Sequence, residues 1–235
     1  GTTNYILTKM SKEGLPFDTV LKEAQELGYA ERNPEADVEG YDACRKIAIL
    51  SSLACGHQVD FEDIYTEGIT KITDVDFKYA SKLDVSIKLI GSSRKVGNGF
   101  AAMVAPKMIS NDHPLAGVNG VMNAIFVKGN VLGDVMFYGA GAGKLPTASA
   151  VVSDVVDAVK HMGTNIMTIW STHKADLVDI KDVVTRFFIR VKGDDDAAVK
   201  AAFDGEIVRA DGVTGEFGCV TAPMTEKEYA DKAAG

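Results

Sequence analysis

Through the N-terminal part of the chain, apolar residues recur at three- and four-residue intervals, the spacing of one helix face. The pattern predicts a helix over residues 2–12 with Ile6, Leu7 and Met10 on one side. A second follows over 17–27, opened by Pro16 and closed by Gly28. Asn33-Pro34 then bars regular helix. Beyond it the pattern predicts a helix with Asp37 as N-cap and Gly56 as terminator. Projected around that helix, Asp42 and Lys46 share a face with Val38, Ile49 and Leu53, while Gly40, Cys44, Ile47, Ser51 and Ala54 form an opposite face suited to close packing. Only a strip around Arg45 and Ser52 reads as wet, so the Asp42–Lys46 pair is expected to point inward. Two charges there are costly unless paired and used. An ordinary surface ion pair one turn apart is the plainer alternative.

A polar stretch at 56–63 leads to a further helix over 74–83. The period then changes. Residues 86–90, 100–106, 121–127 and 134–138 have strand composition and mostly alternate, and Gly129-Asn130 suits a tight hairpin turn between the last two. The expected class is α+β, a mostly antiparallel sheet covered by helices on one face. The run Gly139-Ala140-Gly141-Ala142-Gly143 ends the last strand and opens a helix over 145–162. It is not a P-loop, because Tyr138 stands in the first glycine's place and Lys144 is followed by Leu145. Nor is it a dinucleotide fingerprint, since Lys144 occupies the third glycine's position. Two readings stand: a turn for close helix–sheet packing, and a helix N-terminus offering free N–H groups to a polar or anionic ligand. Residues 171–182 read as a linker. The order after it is strand 186–192, helix 194–203, strands 206–209 and 216–221, and helix 225–232.

With 235 residues, 46% of them hydrophobic, the chain can build a large domain (1–170) and a small one (183–235). A net charge of −8 without a basic cluster argues against nucleic acid and anionic membrane surfaces as partners. The best apolar run, 47–54, is short for a membrane span and contains two serines, and the start carries no signal-peptide pattern. Cys44, Cys55 and Cys219 show no CxxC spacing and read as reduced thiols of a cytoplasmic protein. His57, His113, His161 and His173 lack ligand spacing, and a metal at Glu31, Asp37, Glu39 and Asp42 is opposed by Lys46 in their midst. No metal is expected. Carboxylates on the Asn33-Pro34 turn, with Tyr29 and Arg32, aimed at Asp42 and Lys46, can instead hold a small zwitterion and hand it a proton.

The stretch Ala24-x3-Gly28-Tyr29-Ala30-x2-Asn33-Pro34-x2-Asp37-Val38-x-Gly40-x-Asp42-x3-Lys46 resembles the signature of homoserine dehydrogenases. Gly1-Thr2-Thr3-Asn4-Tyr5-Ile6-Leu7 is similar to that family's entry into its substrate domain, and Ile69-Thr70 through Leu83 and Ile87-Lys88-Leu89 to its middle. Gly139 through Ala148 is similar to its late glycine loop. Together these cover about residues 1–170.

The resemblance implies reversible reduction of L-aspartate 4-semialdehyde to L-homoserine with NADP or NAD, in threonine, methionine and isoleucine biosynthesis. It implies a homodimer formed through the substrate-domain sheet. Lys46 becomes the proton donor with Asp42 as its partner, Glu31 the ligand of the substrate ammonium, and Asp37, Tyr29, Gly1 and Thr2 the rest of the substrate pocket. Gly143 faces the nicotinamide end of the cofactor. The family also carries an upstream dinucleotide-binding domain and a second catalytic lysine, neither of which is in these residues. A chain opening at Gly1 on a helix entry is therefore expected to be a fragment, inactive alone. The C-terminal β-α-β-β-α order is similar to an ACT module, though short, without a final strand, and with its ligand turn reduced to Gly193-Asp194-Asp195-Asp196. A non-catalytic amino-acid-binding or dimerising role built on that tail is the alternative function.

Overall fold

The computed structural model describes residues 1–141, 143–164 and 170–234. Helices α1 (Thr2–Glu13) and α2 (Phe17–Glu26) pack as an antiparallel pair turned at Gly14, whose left-handed φ of 65° suits glycine. Ile6, Leu7, Met10, Val20 and Ala24 are buried between them. These residues carry the expected three- and four-residue spacing.

Asp37 does not cap the next helix. It lies inside a short helix, α3 (Glu35–Val38), with its own N–H bonded to Pro34. Gly40, at φ 81°, then breaks the chain direction, and α4 (Tyr41–Cys55) begins after it and ends at Gly56. The interruption is held from outside: Ile69 N–H bonds Val38 O at 2.8 Å.

After β1 (His57–Gln58) and β2 (Tyr65–Thr66) comes α5 (Asp74–Lys82), whose first turn closes a reciprocal cap between Thr73 and Asp76. Strands β3 (Val85–Val96) and β4 (Gly99–Ser110) form an antiparallel ladder from Val85↔Ser110 to Val96↔Gly99, and β2 pairs parallel to β4. One face of this sheet, carrying Ile87, Leu89 and Gly91, takes α1, α4 and α5. Lys88, Ser92 and Arg94 alternate onto the other face.

Strands β5 (Met122–Gly129) and β6 (Gly133–Ala140) make a separate hairpin. Its loop is 130–132, closing on Gly133 at φ 79°, rather than a two-residue turn at Gly129-Asn130. Helix α6 (Lys144–Lys160) follows the glycine run and buries none of its described residues. Part of the expected linker is a strand: β7 (Ser171–Lys174) pairs parallel to β1, and Trp170 Nε1 donates to Gln58 Oε1 at 2.7 Å.

The C-terminal part contains β8 (Phe188–Lys192), α7 (Asp196–Phe203), β9 (Glu206–Val208), β10 (Glu216–Val220) and α8 (Glu226–Ala234), with strand order β8-β10-β9. It docks on α5 through Tyr79 against Phe188 and through Arg190, which bonds both Glu216 and Asp76. The architecture is α+β with mostly antiparallel pairing. Among the described residues no helix is long and apolar enough to cross a membrane, and no group of His, Cys, Asp and Glu is placed to hold a metal ion.

Candidate active site

The site begins at the entry to α1. Thr2 is buried, and its Oγ1 donates to Tyr29 O at 2.7 Å, fixing the start of α1 against the end of α2. Tyr29 and Ala30 in turn bond Ala24 O with their N–H groups, which terminates α2 and aims the following loop. The Tyr29 ring, half-buried at the edge of the core, packs at a tilt of 53° against Tyr5, with the centroids 5.1 Å apart.

Asp42 sits in the first turn of α4, where the helix dipole favours a carboxylate, and Lys46 lies one turn on. Lys46 Nζ and Asp42 Oδ2 are 2.7 Å apart. Asp37 lies in α3, which packs against both α1 and α4.

The expected burial of the ion pair is not found. The Lys46 and Asp42 side chains are 71% and 47% exposed, on the outer face with Ile49 and Leu53. The line turned inward is Cys44, Ala48, Ser51 and Ser52. Small residues decide this: a Cβ on Gly91 would lie 3.3 Å from Ile47 Cβ, so helix and sheet approach closely on that side. Ser52, expected to be wet, is buried, with its Oγ bonded to Ala48 O and Val59 N. Glu31 is exposed on the loop, and its carboxylate has no hydrogen bond or ion pair among the described residues. A cleft of about 510 Å3 lies on another flank of α4, lined by Arg45, Ser52, Phe61 and Trp170 among others, and neither Glu31, Asp37, Asp42 nor Lys46 lines it.

The glycine run reaches the same place by a route the sequence did not suggest. Asn123 on β5 pairs with Gly139 on β6, and its Oδ1 accepts from the Gly1 nitrogen at 2.6 Å. Asn4 bonds the same hairpin through Gly120 O and Met122 O. Asn4 Oδ1 accepts from Lys88, whose ammonium also bonds Asn119 Oδ1 and Val118 O and faces no carboxylate among the described residues. Burial, and secondarily Lys12, pushes the Lys88 pKa down to about 8. Asn123 and Lys88 had one faint signal each: an amide inside a strand and a lysine within an Ile-Lys-Leu run.

Gly143 precedes α6 at φ 108°, with Thr147 N–H bonded to its carbonyl; Ala142 lies outside the described residues. Among the described residues nothing lies within 4 Å of a Cβ built on Gly139, and Pro146 Cδ, at 3.7 Å, alone meets one on Gly143, whereas one on Gly141 would meet the Asn123 amide at 2.5 Å. Gly139 and Gly143 are thus open on one side. A proton donor held by a carboxylate, further acids for an ammonium, and an open glycine flank form a set able to protonate a carbonyl oxygen.

Comparisons with known proteins give the family of the chain. A family model described as homoserine dehydrogenase matches residues 1–156. A homoserine dehydrogenase of Synechocystis sp. is 47% identical over 202 residues, covering 81% of this chain and 47% of that protein. The crystal structure of a homoserine dehydrogenase from Thiobacillus denitrificans superposes with a TM-score of 0.87 at 36% identity, over 100% of this chain and 58% of that one. A hyperthermophilic archaeal homoserine dehydrogenase in complex with NADPH gives a TM-score of 0.53 at 32% identity, over 69% of this chain and 46% of that one. The chain spans about half the length of the curated relatives it matches. By its own sequence and fold, the chain belongs to the homoserine dehydrogenase family.

Proposed function

We propose that this chain supplies the substrate-holding part of an enzyme that reversibly reduces L-aspartate 4-semialdehyde to L-homoserine with NADPH or NADH. The observation that carries the reading is the Asp42–Lys46 pair at the start of α4, with Asp37 on the adjoining α3 and the glycine run tied to the start of α1 through Asn123.

Lys46 gives its proton to the oxygen that gains charge when the aldehyde carbon is reduced, and Asp42 orients the ammonium. Asp37 and Glu31 take the substrate ammonium, with Tyr29, Gly1 and Thr2 closing the pocket. Gly143 and the open flank of the run would hold the nicotinamide end of a dinucleotide, which when bound supplies the hydride. Family membership, the NADPH named for the archaeal neighbour and the free glycine backbone support that assignment.

The reading also includes a homodimer. The exposed Ile125, Val127, Phe137 and Tyr138 of the β5–β6 hairpin are apolar surface that association would cover. A ligand-binding tail is less well supported: Asp195 caps α7, and Gly193 N–H bonds Gly215 O, so the turn after β8 is closed on itself. The proposed role of the tail is to brace α5.

The test is Lys46→Ala in the full-length protein, assayed by NADPH oxidation with the semialdehyde. The expected loss of turnover is about 10²- to 10⁴-fold. Near-normal turnover removes Lys46 from the chemistry. Calorimetry with homoserine on Asp37→Ala and Asp194→Ala separates the site from the tail, since only the first is expected to weaken binding.

A further inference from the structure

Asn123 is placed between two parts of the site that otherwise belong to different elements. Its Oδ1 accepts from the Gly1 nitrogen at 2.6 Å, and its Nδ2 donates to Val121 O at 3.1 Å. Both ends of the amide are thus fixed, which also fixes its orientation. Its flank lies directly against the glycine run: a Cβ on Gly141 would be 2.5 Å from Nδ2 and 3.0 Å from Cγ. No side chain fits between them. The next pair along the ladder is Met122↔Ala140, so the run leaves the hairpin beside this amide.

We propose that Asn123 is a positioning residue, a strut that sets the spacing between the glycine run and the start of α1, where Gly1 and Thr2 belong to the proposed substrate pocket. The inference rests on the function proposed above. It adds that the separation between the glycine run and the substrate pocket is set by one amide. The start of α1 does not depend on it, because Thr2 Oγ1 bonds Tyr29 O at 2.7 Å and Gly1 O accepts from Tyr5 N–H at 2.9 Å. Loss of the amide therefore frees the run and leaves α1 in place. The substrate ligands stay put while the reacting groups lose alignment, a change that lowers kcat more than it raises KM.

Gly141→Ala provides a second route to the same defect. Its methyl group would displace the Asn123 amide from both bonds, while in Asn123→Ala the space it needs is empty. In the full-length protein Asn123→Ala and Gly141→Ala should each lower kcat about 10- to 100-fold, with KM for homoserine within about twofold of the parent. The double variant should be no slower than either single one. Losses that multiply, or that fall in KM, overturn the proposal. Amide hydrogen exchange on the 235-residue chain gives a readout independent of turnover. Asn123→Ala should speed exchange at 139–141 about tenfold or more and leave β8 and β10 unchanged. Unchanged exchange at 139–141 refutes the strut. If the parent protein fails to oxidise homoserine while the exchange result holds, the proposed reaction fails and the strut stands.

Discussion

Lys88 offers the most quantitative check on the buried network that carries the hairpin. Its residue is only 9% exposed, its three acceptors are neutral, and burial lowers its pKa from 10.5 to about 8. A folded-state pKa below the unfolded one means that the fold disfavours the charged amine. Below about pH 8 both states carry the proton and the full penalty applies. Between about 8 and 10.5 the unfolded chain holds the proton and the folded chain does not, so stability rises with pH. At about 1.4 kcal/mol for each factor of ten in proton affinity, the rise amounts to about 3 kcal/mol, as an upper bound. Lys88→Met removes the titration, and it also leaves Asn4 Oδ1, Asn119 Oδ1 and Val118 O without this donor. Each orphaned acceptor costs about 1–3 kcal/mol whatever the pH. The informative quantity is thus the slope, in which that constant loss and the other titrating groups cancel. Urea unfolding of parent and variant from pH 7 to 10.5 should show the parent gaining on Lys88→Met above pH 8. A difference that stays flat, or falls with pH, means that the amine is not held in a low-dielectric pocket and the reasoning is wrong.

Two further outcomes follow from packing and charge. Gly68→Ala places a methyl group 2.2 Å from Val38 O and 2.4 Å from Glu39 Cα, both backbone atoms, so α3 must move. Urea unfolding should register a loss of about 3 kcal/mol, and Gly14→Ala, strained in φ but otherwise open, only about 1 kcal/mol. Arg190→Ala removes the two-pronged contact with Glu216 and the bond to Asp76 that tie the C-terminal sheet to α5. It should cost about 2 kcal/mol. It should also flatten the acid limb of stability, because Arg190 holds the Glu216 carboxyl below its usual range and that contribution fades as pH falls.

How far the sequence could be read depended on where the determining contact lay. Helices α1, α2 and α5 were legible because spacing and punctuation are local: Ile6, Leu7 and Met10, then Pro16, with Gly28 after the second. Strands β3 and β4 run well past the apolar stretches 86–90 and 100–106. Past residue 90 the run Ser92-Ser93-Arg94-Lys95 is polar on both faces, so alternation fails as a guide just where the ladder continues. Strands β1 and β7 could not be read at all, since His57 and Gln58 become strand only by pairing with 171–174. The signature residues were named, but their setting was not. Helix α4 carries apolar residues on every side, so the pattern predicted burial of both the Asp42–Lys46 face and the Cys44 face, with only the strip at Arg45 and Ser52 wet. Gly91, far along the chain, settles it by admitting the Cys44–Ala48 face.

That outcome bears on the chemistry proposed for Lys46. An ammonium 71% exposed is screened by water and can pass its proton to solvent as readily as to a substrate oxygen. A proton donor in that position works only if a second surface closes over it when substrate is bound. Asn123 ties the β6 end of the glycine run to the start of α1. Helix α6 leaves Leu145, Val151, Val152, Val155 and Val159 in water, an apolar surface far larger than scattered exposed residues account for. A helix that follows the glycine run and leaves apolar residues along its length exposed is suited to receive a surface that excludes water there. Exposure of the ion pair and exposure of α6 would both fall if one surface covered them when substrate is bound. The Lys46 assignment therefore requires that a bound dinucleotide and homoserine protect α6 amides and the Lys46 amine from solvent in the same titration.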